Sequence, residues 1–220
     1  QRMAAAGIDF QVISPNPLTF LHFIDPKVAL RFCQIHNDAL AKVCGANAAH
    51  LAGLAALPMQ NIPAAIAELE RAVADLGLLG GYIGTDMPLP LDAAAMDSFY
   101  ATCVRLNVPL FIHPSPAGID GPKGDANLQD YDLDVVIGFA AQEALAVARL
   151  IYGGVLDRHP SLDICISHGG GSTGYLIGRM AMAARKRPWA SEAIKADGAF
   201  EERRERRGGE KKRKKEKERK

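Results

Sequence analysis

The chain has 220 residues, 48% hydrophobic and 23% charged, with a formal net charge of +1. That length suits one domain with a sizeable core, and the apolar share excludes a disordered chain. Of 26 basic and 25 acidic residues, 12 and 6 fall in residues 201–220, so residues 1–200 keep 14 and 19 and carry a formal −5.

The four cysteines (Cys33, Cys44, Cys103, Cys165) show no C-x-x-C spacing and read as small buried hydrophobes in a reducing compartment. No basic-then-apolar leader opens the sequence. The apolar stretch 139–156 is interrupted by Gln142, Glu143 and Arg149. A soluble, cytoplasmic protein without a membrane span is the expectation.

The opening QRMAAAG reads as the last turn of a helix closed by Gly7 at C′. With the charge tract at the other end, it suggests a piece of a longer chain. Asp9 to Ile13 reads as a short strand. Asp25-Pro26 then supplies an N-cap and an N1 proline for a helix with an apolar stripe through Val28, Phe32, Ile35, Leu40 and Val43. Leu51 to Leu57 is an apolar strand stopped by Pro58. Asn61 caps a helix through Ile66, Leu69, Val73 and Leu76, ending near Gly77. Leu79 to Ile83 is a third strand, and Asp92 is the expected cap of a helix through Met96, Phe99, Cys103 and Leu106. Val108 to Ile112 is the fourth strand. The Gly/Asp-rich stretch 115–132 leads to a helix from about Phe139 to Leu156. Leu162 to Ser167 is the fifth strand, followed by a helix after the glycines beyond His168.

Five β-then-α units with buried-type strands predict a parallel sheet with helices outside. An open doubly wound sheet and a (β/α)8 TIM barrel both fit. Ser14, Pro58, Thr85, His113 and His168 stand just past successive strands. Contributions from several separate strand ends favour the barrel, incomplete here at about five units. Residues 1–199 form the expected partial barrel domain. Residues 200–220 form a charged low-complexity tail, disordered or artefactual. Its six interleaved glutamates and its lack of aromatics after Phe200 argue against nucleic-acid binding.

Two histidines are candidates for the chemistry, each open to a reading as ligand or catalyst and to one as a histidine hydrogen-bonded to a loop carbonyl. In VPLFIHP (108–114) a buried strand delivers His113 to its exit, and Pro114 stops the ladder. In DICISHGGG (163–171) the next strand does the same with His168. The glycines beside it permit close backbone approach and place N–H groups at a helix start, where a carboxylate would sit well. Gly169, Gly171 and Gly174 also match a dinucleotide fingerprint. The match comes late in the chain and is followed by Lys/Arg-rich sequence where a ribose-binding acid belongs, so it is not adopted. His36, His50 and His159 read as structural or surface groups, and His22 is placed where it could border the cavity.

The segments LAGLAALPMQ (51–60), VPLFIHP (108–114), GGVLDRHPSLDICISHGGG (153–171) and YLIGRM (175–180) resemble the amidohydrolase-related metal-dependent decarboxylases, with the aminocarboxymuconate-semialdehyde decarboxylase branch nearest. The likeness runs from about residue 7 to 190. It implies a (β/α)8 barrel with a divalent metal, most often zinc (Zn2+), at the C-terminal mouth. It also implies that His113 is a metal ligand and His168 the catalytic histidine that activates the metal-bound water or shuttles a proton. Arg179 is implied to bind the substrate carboxylate across a homodimer interface. A zinc ion lowers the pKa of its water to about 7, within reach of a neutral histidine.

The expected function is decarboxylation of a small unsaturated or aromatic carboxylic acid. The alternatives are hydrolysis of a lactone or amide on the same barrel, and a non-catalytic degenerate barrel fragment. The family's first-strand His-x-His pair is expected upstream of Gln1 and its later Asp ligand downstream, so the 220 residues alone are expected to be inactive. Ser172-Thr173-Gly174-Tyr175 and Ser115-Pro116-Ala117 stand where the nearest branch is more aromatic, which leaves the substrate open.

Overall fold

A computed structural model describes residues 2–115, 125–187 and 189. The charged tail from residue 200, with Pro116 and Ala117, lies outside the described residues.

The elements follow the expected alternation, and their ends are set by local chemistry. After α1 (Arg2–Ala5) Gly7 takes φ +67° and turns the chain into β1 (Gln11–Ile13). The Asp25 carboxylate accepts from the Lys27 and Val28 N–H groups at 2.8 and 3.2 Å and starts α2 (Pro26–Gly45). Then come β2 (Leu51–Gly53) and β3 (Ala55–Ala56). The Asn61 side chain accepts from Ala64 N–H at 3.1 Å and starts α3 (Ile62–Ala74). The remaining elements are β4 (Gly81–Gly84), α4 (Asp97–Leu106), β5 (Leu110–His113), α5 (Phe139–Tyr152), α6 (Val155–Arg158), β6 (Ile164–Ile166) and α7 (Thr173–Lys186).

All strand pairs are parallel, and each strand lies beside its predecessor in sequence. β2 pairs with β1 and β3 with β4, but they are one strand that changes partner at Leu54. Leu54 N–H still donates to Ile13 O at 2.9 Å, while Ala55 N–H donates to Gly80 O at 2.8 Å. Sequential order without a reversal is the winding of a barrel wall, since a doubly wound sheet has a switch point where the order turns back. The helices also contact the helices that follow them in the chain, α2 with α3, α3 with α4 and α5 with α6 and α7, as a single outer layer requires. The core between helices and strands holds Leu69, Ile83, Met96, Phe99, Leu110 and Ile112, each fully buried.

Four local expectations do not hold. α2 buries Ala29, Cys33, Asn37, Leu40 and Cys44, whereas Val28, Ile35 and Val43 are exposed. The helix lies so close to β2 that a Cβ on Gly53 would stand 2.8 Å from Leu40 Cδ2, and small side chains are what that spacing admits. Asp92 does not cap α4. It pairs with Arg149 at 2.9 Å, and a 3-10 turn at Ala94–Met96 leads into the helix instead. The helix expected to reach Leu156 breaks at Gly153 and Gly154, the latter at φ +67°. Among the cysteines Cys165 is exposed.

A π-helical turn over Asp134–Gly138 runs directly into α5. The combined helix, Asp134–Tyr152, is long and apolar enough to cross a membrane by length and composition alone, with mean hydropathy 1.5. Within this fold it packs on α7 and directs the carboxylate of Glu143 inward.

Candidate active site

The parallel strands end on one rim, and the rim collects the polar groups. β5 delivers His113 in register with Gly84 of β4, and Thr85 N–H donates to His113 O at 3.0 Å. β6 ends one residue before Ser167, whose hydroxyl donates to Ile112 O at 3.1 Å, and His168 follows. The two histidines predicted from strand ends therefore meet: their rings are 5.0 Å apart between centroids, at 71°. Phe139 covers both, edge-on to His113 at 5.4 Å and nearly parallel to His168 at 5.7 Å. Tyr82 lies 6.0 Å from His113, and Phe20 stacks on Tyr82 at 5.4 Å. The mouth is thus walled by flat rings.

Each histidine has one ring nitrogen engaged. His113 Nδ1 lies 2.8 Å from Pro114 O, and a carbonyl can only accept, so Nδ1 carries the proton and Nε2 the lone pair in the neutral ring. Burial, together with the neighbouring His168, holds His113 below the usual histidine range. His168 Nδ1 lies 2.8 Å from Glu143 Oε1. Glu143 is fully buried, and burial pushes its carboxyl up while the hydrogen bond to His168 pulls it back.

His168 owes its position to unusual backbone. It sits at φ +45°, ψ +34°, and Gly169, Gly170 and Gly171 continue at positive φ. Gly171 is required by contact as well as by conformation. A Cβ there would lie 2.6 Å from both Ala140 O and Glu143 Oε2. The glycines thus bring the His168 turn hard against α5, and Ser172 closes the contact by donating to Ala140 O from its backbone N–H and its hydroxyl.

α5 contributes what sequence reading missed. Phe139, Gln142 and Glu143 stand at i, i+3 and i+4 on one face of the helix. The Gln142 carbonyl accepts from the Thr85 hydroxyl and from Ser115 N–H, so it ties the exits of β4 and β5 together. The available signal was a Gln-Glu pair in the middle of an otherwise apolar helix. Beside the rim, a cavity of about 390 Å³ is lined by Thr85, Asp86, Met87, Gln142 and Arg149 among others.

Arg179 is not brought to the pair. It is exposed on α7, with no hydrogen bond or ion pair among the described residues. His22 stands at the same rim, with its Nε2 2.9 Å from where a Cβ on Gly84 would lie and its ring stacked on Phe20 at 5.3 Å; among the described residues neither ring nitrogen has a hydrogen-bond partner, and burial lowers its pKa to about 4. His50 and His159 are structural, bonded to Asp9 O at 2.9 Å and to Asp97 at 3.1 Å.

A metal is tested against these donors. Among the described residues no group of three or more His, Cys, Asp or Glu side chains is placed to hold an ion. Glu143 is taken up by His168 Nδ1, which leaves the Nε2 atoms of His113 and His168, two donors where tight zinc binding takes about three protein ligands. The described residues do not fit a divalent ion by themselves.

Known proteins resemble the chain in sequence and in fold. The chain is 34% identical over 189 residues to 2-amino-3-carboxymuconate-6-semialdehyde decarboxylase of Dictyostelium discoideum, which covers 86% of this chain and 51% of that protein. It is 31% identical to gamma-resorcylate decarboxylase of Rhizobium radiobacter, with coverage of 81% and 56%. The crystal structure of 5-carboxyvanillate decarboxylase from Novosphingobium aromaticivorans, complexed with manganese, superposes with a TM-score of 0.75 at 26% identity, over 83% of this chain and 51% of that one. The chain spans about half the length of the curated relatives it matches. These neighbours are TIM barrels, so the sequential parallel wall is part of a (β/α)8 barrel. The metal recorded in the solved neighbour is manganese, which leaves zinc an expectation. The amidohydrolase family model matches residues 1–206, and with strand order and relatives in agreement, the chain belongs to the amidohydrolase family.

Proposed function

We propose that the chain supplies the proton-handling half of a decarboxylase acting on a small unsaturated or aromatic carboxylic acid. The observation that carries this reading is the His113–His168 pair at one rim, walled by Phe139, Tyr82 and Phe20. Flat aromatic walls suit a planar acid. Loss of CO2 leaves an electron pair on the ring or vinyl carbon, and that carbon must take up a proton. His168 is the group for this transfer. Its ring is half exposed and its Nδ1 is anchored, so Nε2 is the atom that picks up a proton from solvent and returns it to carbon. The names of relatives 34% and 31% identical to this chain, both decarboxylases, support the assignment.

The roles of His113 as one metal donor and of Arg179 as a carboxylate-binding group stay part of this proposal. A divalent ion polarises bound oxygen and gathers negative charge, and it needs more donors than the described residues offer. Arg179, exposed and without an ion pair among the described residues, fits a role toward a site on a second copy of the chain, and a small carboxylate is the substrate class such a guanidinium would hold.

The test grafts residues 7–187 into the gamma-resorcylate decarboxylase barrel in place of the matching segment and follows CO2 release from a panel of carboxylated arenes and dienes. Release that falls at least about 100-fold in His168→Asn is the expected result. Ring opening of a lactone without CO2 would replace this reading by hydrolysis, and ligand binding without turnover by a degenerate barrel. The 220 residues alone, given manganese or zinc, are expected to release none.

A further inference from the structure

We propose that Glu143 is a positioning residue: it holds His168 as the Nδ1–H tautomer and leaves Nε2 as the free nitrogen facing the reaction. Its catalytic consequence rests on the reading of His168 as the proton-moving group, whereas the tautomer itself does not.

A carboxylate on an apolar helix, fully buried, loses its hydration and must recover it from hydrogen bonds. A structural anchor would satisfy both oxygens. Among the described residues Oε2 has no partner, and the one hydrogen bond Glu143 makes is accepted by Oε1 from His168 Nδ1, 2.8 Å away. Leucine or methionine would fill the same space without that penalty. The side chain is therefore explained by the imidazole rather than by packing.

The backbone converges on the same contact. His168 is held in the left-handed region, and Gly171 lets the turn approach until a Cβ would strike Glu143 Oε2. The close approach of the turn to α5 and the carboxylate–imidazole bond are one construction. A carboxylate accepts more strongly than a carbonyl because it is charged. A free neutral histidine carries its proton mainly on Nε2, so the arrangement works against the intrinsic preference and has a spectroscopic signature.

The test is the ring 15N spectrum of the full 220-residue chain with labelled histidine, at a pH where His168 is neutral. The His168 signals are identified as those lost in His168→Asn. The expected pattern is a protonated Nδ1 and an unprotonated Nε2. Glu143→Met removes the acceptor and should move the tautomer ratio toward Nε2–H by roughly tenfold. Glu143→Gln keeps a carbonyl acceptor and should retain most of the wild-type ratio, which simple filling of space would not explain. A wild-type chain with Nε2–H, or a folded Glu143→Met with an unchanged ratio, overturns the proposal. Should Glu143→Met fail to fold, the wild-type spectrum alone decides by the same criterion. None of these outcomes depends on CO2 release, so the graft assay can fail while the tautomer stands, and the reverse.

Discussion

At the scale of single residues, the site depends on which side chains are absent as much as on which are present. Gly171 (φ +56°, ψ −129°) combines a glycine-only conformation with a contact no Cβ can share. Gly171→Ala should lower stability by roughly 2–4 kcal/mol, read as a fall in the urea midpoint. Gly174, only three residues on, lies inside α7 with open space where a Cβ would go. Gly174→Ala should stabilise by about 0.5–1 kcal/mol in the same titration. Equal effects at the two positions would remove the steric argument. His22 makes a pH prediction. Its folded pKa of about 4 lies below its ordinary 6.5, so the unfolded chain takes up a proton in that window and the folded chain does not. Stability should therefore fall as pH drops from 6.5 toward 4, by about 3 kcal/mol from this residue at the limit. Urea titrations at pH 7 and 4.5 measure the slope. His22→Phe, which keeps the stack on Phe20, should flatten it.

At the scale of elements, polar pins fix which helix face meets which strand. Asn37 on α2 reads both backbone groups of Ala56: it donates to the carbonyl at 2.9 Å and accepts from the N–H at 2.8 Å. Its amide also reaches Glu68 on α3 at 2.7 Å, and Arg71 clamps that carboxylate with two bonds. One side chain thus registers α2, β3 and α3. Asn37→Leu would strand the Ala56 groups and part of Glu68, and should cost about 2–4 kcal/mol with faster exchange of the Ala56 amide. The same network explains a misreading. The larger apolar residues of α2 mark one stripe, yet the helix turns its small residues and Asn37 inward, because close approach over Gly53 and a buried amide outweigh side-chain size. Caps were legible because Asp25-Pro26 and Asn61 satisfy N–H groups within their own turn. Strand exits were legible because apolar runs end there in His or Ser. Glu143 was visible only as an interruption, since its partner lies 25 residues further along the chain and no local pattern joins them.

At the scale of the whole molecule, the wall has two free sides among the described residues. β1 pairs only with β2, and β6 only with β5. Ile8, Phe10 and Val12 are exposed along the β1 side, and Val28, Ile35 and Val43 along α2 beyond it. Unpaired strand edges beside apolar surface invite association. The 220-residue chain should sediment above its 23.6 kDa monomer mass as concentration rises, and Phe10→Lys with Val12→Lys should shift it back toward monomer. A monomer of unchanged mass at all concentrations would count against this. The choice of barrel over open sheet lay beyond periodicity, because both architectures use the same units. What separates them is neighbour order, a property of the assembled sheet.

The provenance of the rim groups bears on how such a site is inherited. His113, Phe139, Gln142, Glu143 and His168 all belong to one uninterrupted β–α–β passage from β5 through α5 to the turn after β6. A gene break or recombination anywhere outside that passage hands on the whole constellation with its spacing intact. The ring walls drawn from Phe20 and Tyr82, encoded earlier, can then be exchanged separately. Descendants of such an ancestor would keep the histidine–carboxylate geometry while the ring walls around it drift.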